Sequence, residues 1–219
     1  MSEEQKLHDD LASIRNMMER SSRFISLSGL SGILAGVYAL IGAWLAYSII
    51  YLPGGFFKYR EYMVNGLFDK ENIPDLLFTP VMTQLIFIAL AVLTASLTTG
   101  VVLTRRKAKR KGQQLWGKTS KALLFQMAVP LLTGGAFIIV MLLRGYLGIV
   151  APACLAFYGL ALVGAGAFTF NDIRYLGICE TILGIMAAAL PGFGLLFWAL
   201  GFGVLHIIYG TVMHFKYDR

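Results

Sequence analysis

Long apolar stretches alternate with short polar connections along most of the chain, and the lengths of those stretches decide its class. A helix needs about 20 mostly apolar residues to cross a hydrocarbon core of roughly 30 Å. Six stretches meet that need, some only loosely: about 24–52, 79–104, 122–143, 147–168, 176–190 and 195–214. The first is long enough to tilt or to run into the interface, and Pro53 marks its end. Arg144, Gly145 and Tyr146 read as a tight turn, TFNDIRY (169–175) as a short polar connection, and Pro191, Gly192 and Gly194 as the last turn. The pattern predicts an all-α fold: a polytopic membrane helical bundle over 24–214, with six transmembrane helices arranged as three hairpins and a short tail at 215–219.

Two segments break the apolar rhythm. In residues 1–23, Leu7, Leu11, Ile14 and Met18 recur at helical spacing while charged residues of both signs fill the other faces. A short cytoplasmic amphipathic N-terminal helix is expected, docking on protein rather than on anionic lipid because its polar faces are mixed in sign. After Pro53, the aromatic-rich run with Phe56, Tyr59, Met63 and Leu67 at helical spacing suggests a connector lying at the headgroup level.

Composition agrees with lipid as the solvent: 57% hydrophobic and 14% charged residues, with a mean hydropathy of +0.69. Charge then orients the chain. Residues 105–121 carry eight basic side chains and no acid: Arg105, Arg106, Lys107, Lys109, Arg110, Lys111, Lys118 and Lys121. Without them the net charge of +7 disappears, because 11 basic residues would face 12 acidic ones. Short loops dense in Lys and Arg stay on the cytoplasmic side. Four basic residues before the first span, Arg174, Lys216 and Arg219 fall on that same side, leaving only Lys58, Arg60, Lys70 and Arg144 outside. Both termini are therefore expected in the cytoplasm (N-in/C-in), and the acidic start MSEEQ does not read as a signal peptide. Trp116 among these cations superficially fits nucleic acid. Membrane attachment favours anionic headgroups instead, at about 1 kcal/mol per basic residue.

Small residues suggest how the helices pack. Ser28, Gly32 and Gly36 form a stripe on the first span, and spacing of this kind lets backbones approach where no hydrophobic force draws helices together. Packing within the chain is the favoured use, with a homo-oligomer or a membrane-protein partner as the other. Pro130 followed by Gly134 and Gly135 is expected to weaken and bend the third span. Cys154 and Cys179 lie at different depths, so no disulfide is expected.

The sharpest chemistry is in the last hairpin. Gly177, Glu180, Gly184 and Ala187 share one face of the fifth span, and Ala199, Gly203, His206 and Gly210 share one face of the sixth. With the turn centred near Gly192, Glu180 lies twelve residues before it and His206 fourteen after, a depth difference of about 3 Å at 1.5 Å per residue. The glycine stripes are expected to bring the two helices together and let the carboxyl and imidazole meet. Such a pair is either polar glue between helices or a proton- or cation-linked site holding one mobile proton. Arg174 could reach Glu180, and Asp172 supports the same mouth as a capping residue. A sealed, close-packed hairpin would favour the structural role, and a water-filled cavity would favour transport. No paired catalytic carboxylates, nucleophile with a base, phosphate-binding loop or Cys/His cluster is found in the sequence, so no catalytic, cofactor or metal site is expected.

The segments ISLSGLSGILAG, YLGICETILG and PGFGLLFWALGFGVLHIIYG resemble small bacterial polytopic inner-membrane proteins of uncharacterised function. That resemblance implies a six-span fold in the bacterial inner membrane and no site or activity. The reading is a non-enzymatic integral membrane protein acting through interaction or assembly. The alternative is a small proton- or cation-linked transporter or channel-like protein using Glu180 and His206.

Overall fold

The computed structural model describes residues 28–52, 80–110 and 116–217, together with Gln5 and Gly112. The expected N-terminal helix, the aromatic connector after Pro53 and Lys111 lie outside the described residues. Six long helices occupy the rest: α1 Gly29–Tyr51, α2 Pro80–Arg110, α3 Lys118–Leu143, α4 Val150–Ala165, α5 Asn171–Ala189 and α6 Gly194–Tyr217. A short 3₁₀ turn, Leu147–Ile149, leads into α4. No strand occurs among the described residues.

Five of these helices are long and apolar enough to cross a membrane: Gly29–Tyr51, Val81–Arg110, Lys118–Leu143, Leu147–Ala165 and Gly194–Tyr217. The other, α5, has 19 residues, but Asp172, Arg174 and Glu180 make it too polar to qualify by composition. Several boundaries differ from the sequence expectation, most clearly around the basic loop and at the start of α5. Helix α2 continues through Arg105–Arg110 and α3 begins at Lys118, so more than half of the expected basic loop is helical. Lys and Arg are good helix formers, and cations at a helix C-terminus oppose the negative end of its dipole. Gly112, at φ +62, then takes a left-handed conformation just past the end, and its N–H donates to the Lys109 carbonyl. Likewise α5 begins at Asn171 rather than near Leu176, because the polar run expected as a loop forms its first turn. Helix α3 runs unbroken through Pro130.

Neighbouring contacts run antiparallel. Gly42 of α1 faces Val92 and Ile88 of α2, and Tyr38 lies 3.4 Å from Thr99, hydroxyl to hydroxyl. Gly134 of α3 faces Phe157 of α4, and Gly164 of α4 faces Gln126 of α3. The glycine stripes of the last hairpin face elsewhere than expected. Gly177 and Gly184 of α5 press against α4, at Gly159 and Val163 and at Pro152 and Ala156. Gly203 and Gly210 of α6 press against α1, at Leu40 and Gly36 and at Gly29 and Ile33. Helix α5 touches both α4 and α6, and its buried face is wide enough to serve both, with the glycines on the α4 side. In α6 the stretch Ala199–Leu205 is wound as a π-helix, which shifts every later residue from its α-helical position.

The stripe on α1 packs within the chain: Gly32 meets Gly210, and Gly36 meets Gly203 and Ile207. Ser28 precedes the first turn, where its carbonyl accepts from Ser31 Oγ at 2.6 Å. The outer surfaces are apolar. In α2 only Ala108 is buried and in α3 only Gly134, so their Leu, Phe and Val side chains are left to face lipid.

The close backbone contacts are directly testable. A methyl group on Gly210 would stand 2.6 Å from Ile33 N, whereas one on Gly135 has nothing within 4 Å. Gly210→Ala should lower stability in detergent by about 1–3 kcal/mol, as overpacking does. Gly135→Ala should leave it within about 0.5 kcal/mol, as at an open surface site. Equal losses in thermal unfolding would contradict this packing.

Candidate functional site

Two apolar clusters enclose the polar centre of the bundle. Leu162, Ala165, Phe170, Ile173, Leu176 and Met213 form one toward the basic end, and Leu155, Ala187 and Phe197 form the other. Between them lies Glu180, with 0% of its surface exposed, beside His206 with 7%. The approach of Glu180 to α6 depends on Gly201. A Cβ there would collide with Glu180 Oε2 and with the Leu155 side chain, so the glycine leaves room for the carboxyl group where it now lies.

The imidazole is held from both sides. His206 Nδ1 lies 3.0 Å from the Gly201 carbonyl and 3.2 Å from Glu180 Oε1. A carbonyl only accepts, so a hydrogen on Nδ1 is directed mainly at Gly201. The Glu180 contact brings the two groups together without an aligned hydrogen bond. Indeed, neither Glu180 oxygen has a hydrogen-bond donor among the described residues. On the far side, His206 Nε2 lies 2.8 Å from the Tyr158 hydroxyl, which can donate or accept. Tyr158 and Phe202 also stack on the ring, at centroid distances of 5.5 and 5.9 Å. Three helices therefore contribute one group each: Tyr158 from α4, Glu180 from α5 and His206 from α6.

Tyr158 and Gly201 are the members that sequence reasoning missed. A lone Tyr in the aliphatic run PACLAFYGLALVGAGA was the available signal, since a buried phenol needs a polar partner. Arg174, by contrast, stays outside the centre. It is exposed, and six residues along a helix place it about 9 Å from Glu180 in height and on a different face. Its backbone instead packs under Gly166 at the α4–α5 turn. Both cysteines are free, and Cys179 Sγ lies 3.9 Å from the Tyr209 hydroxyl.

Asp172 belongs to a second polar group, at the basic end. It accepts hydrogen bonds from Tyr217 at 2.7 Å and Lys216 at 3.2 Å, tying the start of α5 to the end of α6. Phe170 stacks on Tyr217 at 3.9 Å, and the Lys107 ammonium lies 6.0 Å from the Phe170 ring. The end of α2 thus comes near the start of α5 and the end of α6. Arg105, Arg106, Lys109, Arg110, Lys118 and Lys121 are exposed near that end, as is Trp116. Among the described residues no group of three or more His, Cys, Asp or Glu is placed to hold a metal ion.

These features define the class: a membrane protein, helical among the described residues, built around a buried polar centre. Comparison of the chain with protein families, with curated proteins and with solved structures finds no match.

Two predictions follow from the polar groups. Glu180→Gln and His206→Gln, singly and together, should lose stability non-additively, with a coupling of about 0.5–3 kcal/mol in denaturation of the detergent-solubilised protein. Additive losses would argue against a direct interaction. At Asp172, burial opposes the charge, yet hydrogen bonds from Tyr217 and Lys216 outweigh it and hold the carboxyl below its ordinary value. A depressed carboxyl stabilises the fold above its unfolded value, and that contribution is lost as pH falls through the folded one. Thermal scans from pH 7 to pH 3 should show an acid-side loss of under about 1 kcal/mol, solvent screening included, that Asp172→Asn abolishes. Parallel curves for the two proteins would contradict the assignment.

Proposed function

We propose that this chain is a non-enzymatic integral protein of the bacterial inner membrane that acts through interaction or assembly. It crosses the membrane six times, as three hairpins, with both termini in the cytoplasm. The orientation is supported by the gathering of the α2 and α3 cations with Asp172 and Lys216 at one end of the bundle. Anionic headgroups are the expected lipid partners of that end. The observation that carries the functional reading is the sealing of the polar centre: Glu180 has no exposed surface, and glycine contacts close the helices around it. Polar groups so enclosed act as glue between helices, and the surfaces left for function are the outer ones.

A second reading is a small proton- or cation-linked transporter using Glu180 and His206. One observation favours it: both carboxyl oxygens are buried without a donor, an arrangement that costs more than well-satisfied glue.

Crosslinking and co-purification from native membranes separate the two. A stoichiometric partner, or a defined homo-oligomer, is the expected result. Recovery of a monomer that dissipates a proton or cation gradient in vesicles, and loses this with Glu180→Gln, would replace assembly with transport. Orientation is checked in a chain without Cys154 and Cys179. Lys70→Cys should react with an impermeant thiol reagent in intact cells, and Lys109→Cys only after the inner membrane is permeabilised. The reverse pattern would invert the topology.

A further inference from the structure

We propose that Glu180, His206 and Tyr158 form a binding site for a single proton, shared between Glu180 Oε1 and His206 Nδ1. This concerns what the centre holds and does not depend on whether the protein works by assembly or by transport.

The ground for it is charge balance in a sealed volume. Glu180 is fully buried and both its oxygens lack a hydrogen-bond donor among the described residues, so a bare carboxylate there would be uncompensated by them. The neighbour within reach is the imidazole, 3.2 Å away. With one proton on the pair the centre is neutral overall. The proton sits on Nδ1, giving carboxylate beside imidazolium, or on Oε1, giving carboxylic acid beside neutral imidazole. Transfer breaks the Nδ1–H bond and forms Oε1–H, with no change in net charge. Removing the proton would leave a negative charge in the sealed volume, and adding a second would leave a positive one. Both are costly in low dielectric.

Among the described residues the surroundings supply no other charge. From α4 the facing titratable group is Tyr158, with Cys154 one turn along the same helix. From α5 it is Glu180 itself, and from α6 it is His206, while Cys179 and Tyr209 face each other. Helix α1, packed on the same stretch of α6, presents Gly32, Gly36 and Leu40. Arg174 is exposed and remote.

Tyr158 makes both proton positions tolerable. In both of them Nε2 keeps its hydrogen, and the phenol oxygen at 2.8 Å accepts it. The Gly201 carbonyl, at 3.0 Å, shares the Nδ1 hydrogen when the proton is there. Tyr158 is thus a positioning residue that fixes the ring while the proton moves on its other side.

The test counts protons. Full-length protein in lipid nanodiscs at pH 7.5 is studied by ¹⁵N-histidine NMR, with His206 assigned through His206→Gln, and by infrared spectroscopy of the carboxylic-acid band. The proposal expects one of two spectra: both His206 nitrogens protonated and no acid band, or one bare nitrogen and one acid band per chain. That band should disappear in Glu180→Gln, or shift in Glu180→Asp where the first variant does not fold. A bare nitrogen with no acid band means no proton is held. Two protonated nitrogens together with an acid band mean two are. Either result overturns the proposal. Tyr158→Phe should move the Nε2 resonance and leave the proton count at one, and an unmoved Nε2 resonance would remove Tyr158 from the site.

Discussion

A carboxyl group without exposed surface, in a bundle whose outer face is hydrocarbon, constrains everything around it. Glu180 occupies its position with the room that Gly201 leaves by having no side chain, and with His206 reaching it from the same helix as Gly201. Gly201 and His206 lie at the middle and just past the end of the π-wound stretch Ala199–Leu205. In a regular α-helix, residues five apart do not face one another. Here the Gly201 carbonyl lies within hydrogen-bond distance of the His206 side chain across that interval. The irregular turn is therefore what places a backbone acceptor, an imidazole and room for a carboxyl at one depth.

The second constraint is close approach without a hydrophobic force. Lipid tails are as apolar as leucine, so helices in a membrane gain little by burying leucine against leucine. They gain by close packing, and the structure spends its glycines accordingly. Gly29, Gly32 and Gly36 of α1 meet Gly203 and Gly210 of α6, and Gly159 of α4 meets Gly177 of α5. These two contacts hold α6 and α5 from their outer sides. The polar centre lies between them, where Gly201 of α6 makes room for Glu180 of α5. The expectation that glycines of α5 and α6 pack on one another reversed this arrangement, for a physical reason. A small-residue stripe marks a face that packs closely but does not say against which helix.

Some of the structure was legible in the residues and some was not. The apolar lengths marked the helices, and a rise of 1.5 Å per residue placed Glu180 and His206 at one depth. Arg105–Arg110 was misread as loop because hydropathy reports where lipid ends, not where a helix ends. Charged helix formers carry α2 on until Gly112. Asn171–Tyr175 was misread for the related reason that a polar first turn looks like a connection. Tyr158 escaped because its partner comes from a helix distant in sequence, and no local spacing encodes that meeting. The π turn has no signature in ALGFGVL, and a 3.6-residue period carried across it assigns later faces wrongly.

The basic end bears on how rigid the centre is. Asp172 and Lys216 join the same two helices that carry Glu180 and His206. Eight residues separate the two acids on α5 and ten separate the two bases on α6, lengths of about 12 and 15 Å at 1.5 Å per residue. The difference is within the reach of a lysine side chain, so one register satisfies both pairs. Sliding α5 along α6 by one turn, about 5.4 Å, would break both at once and would drive Gly201 away from the carboxyl it accommodates. A gate has to offer its ion-binding group a second arrangement of comparable energy. Here two polar contacts and a glycine contact all select the same register, and α4 and α1 clamp the two helices through backbone contacts. That convergence suits a fixed core presenting outer surfaces to partners better than it suits a helix pair that must slide for transport.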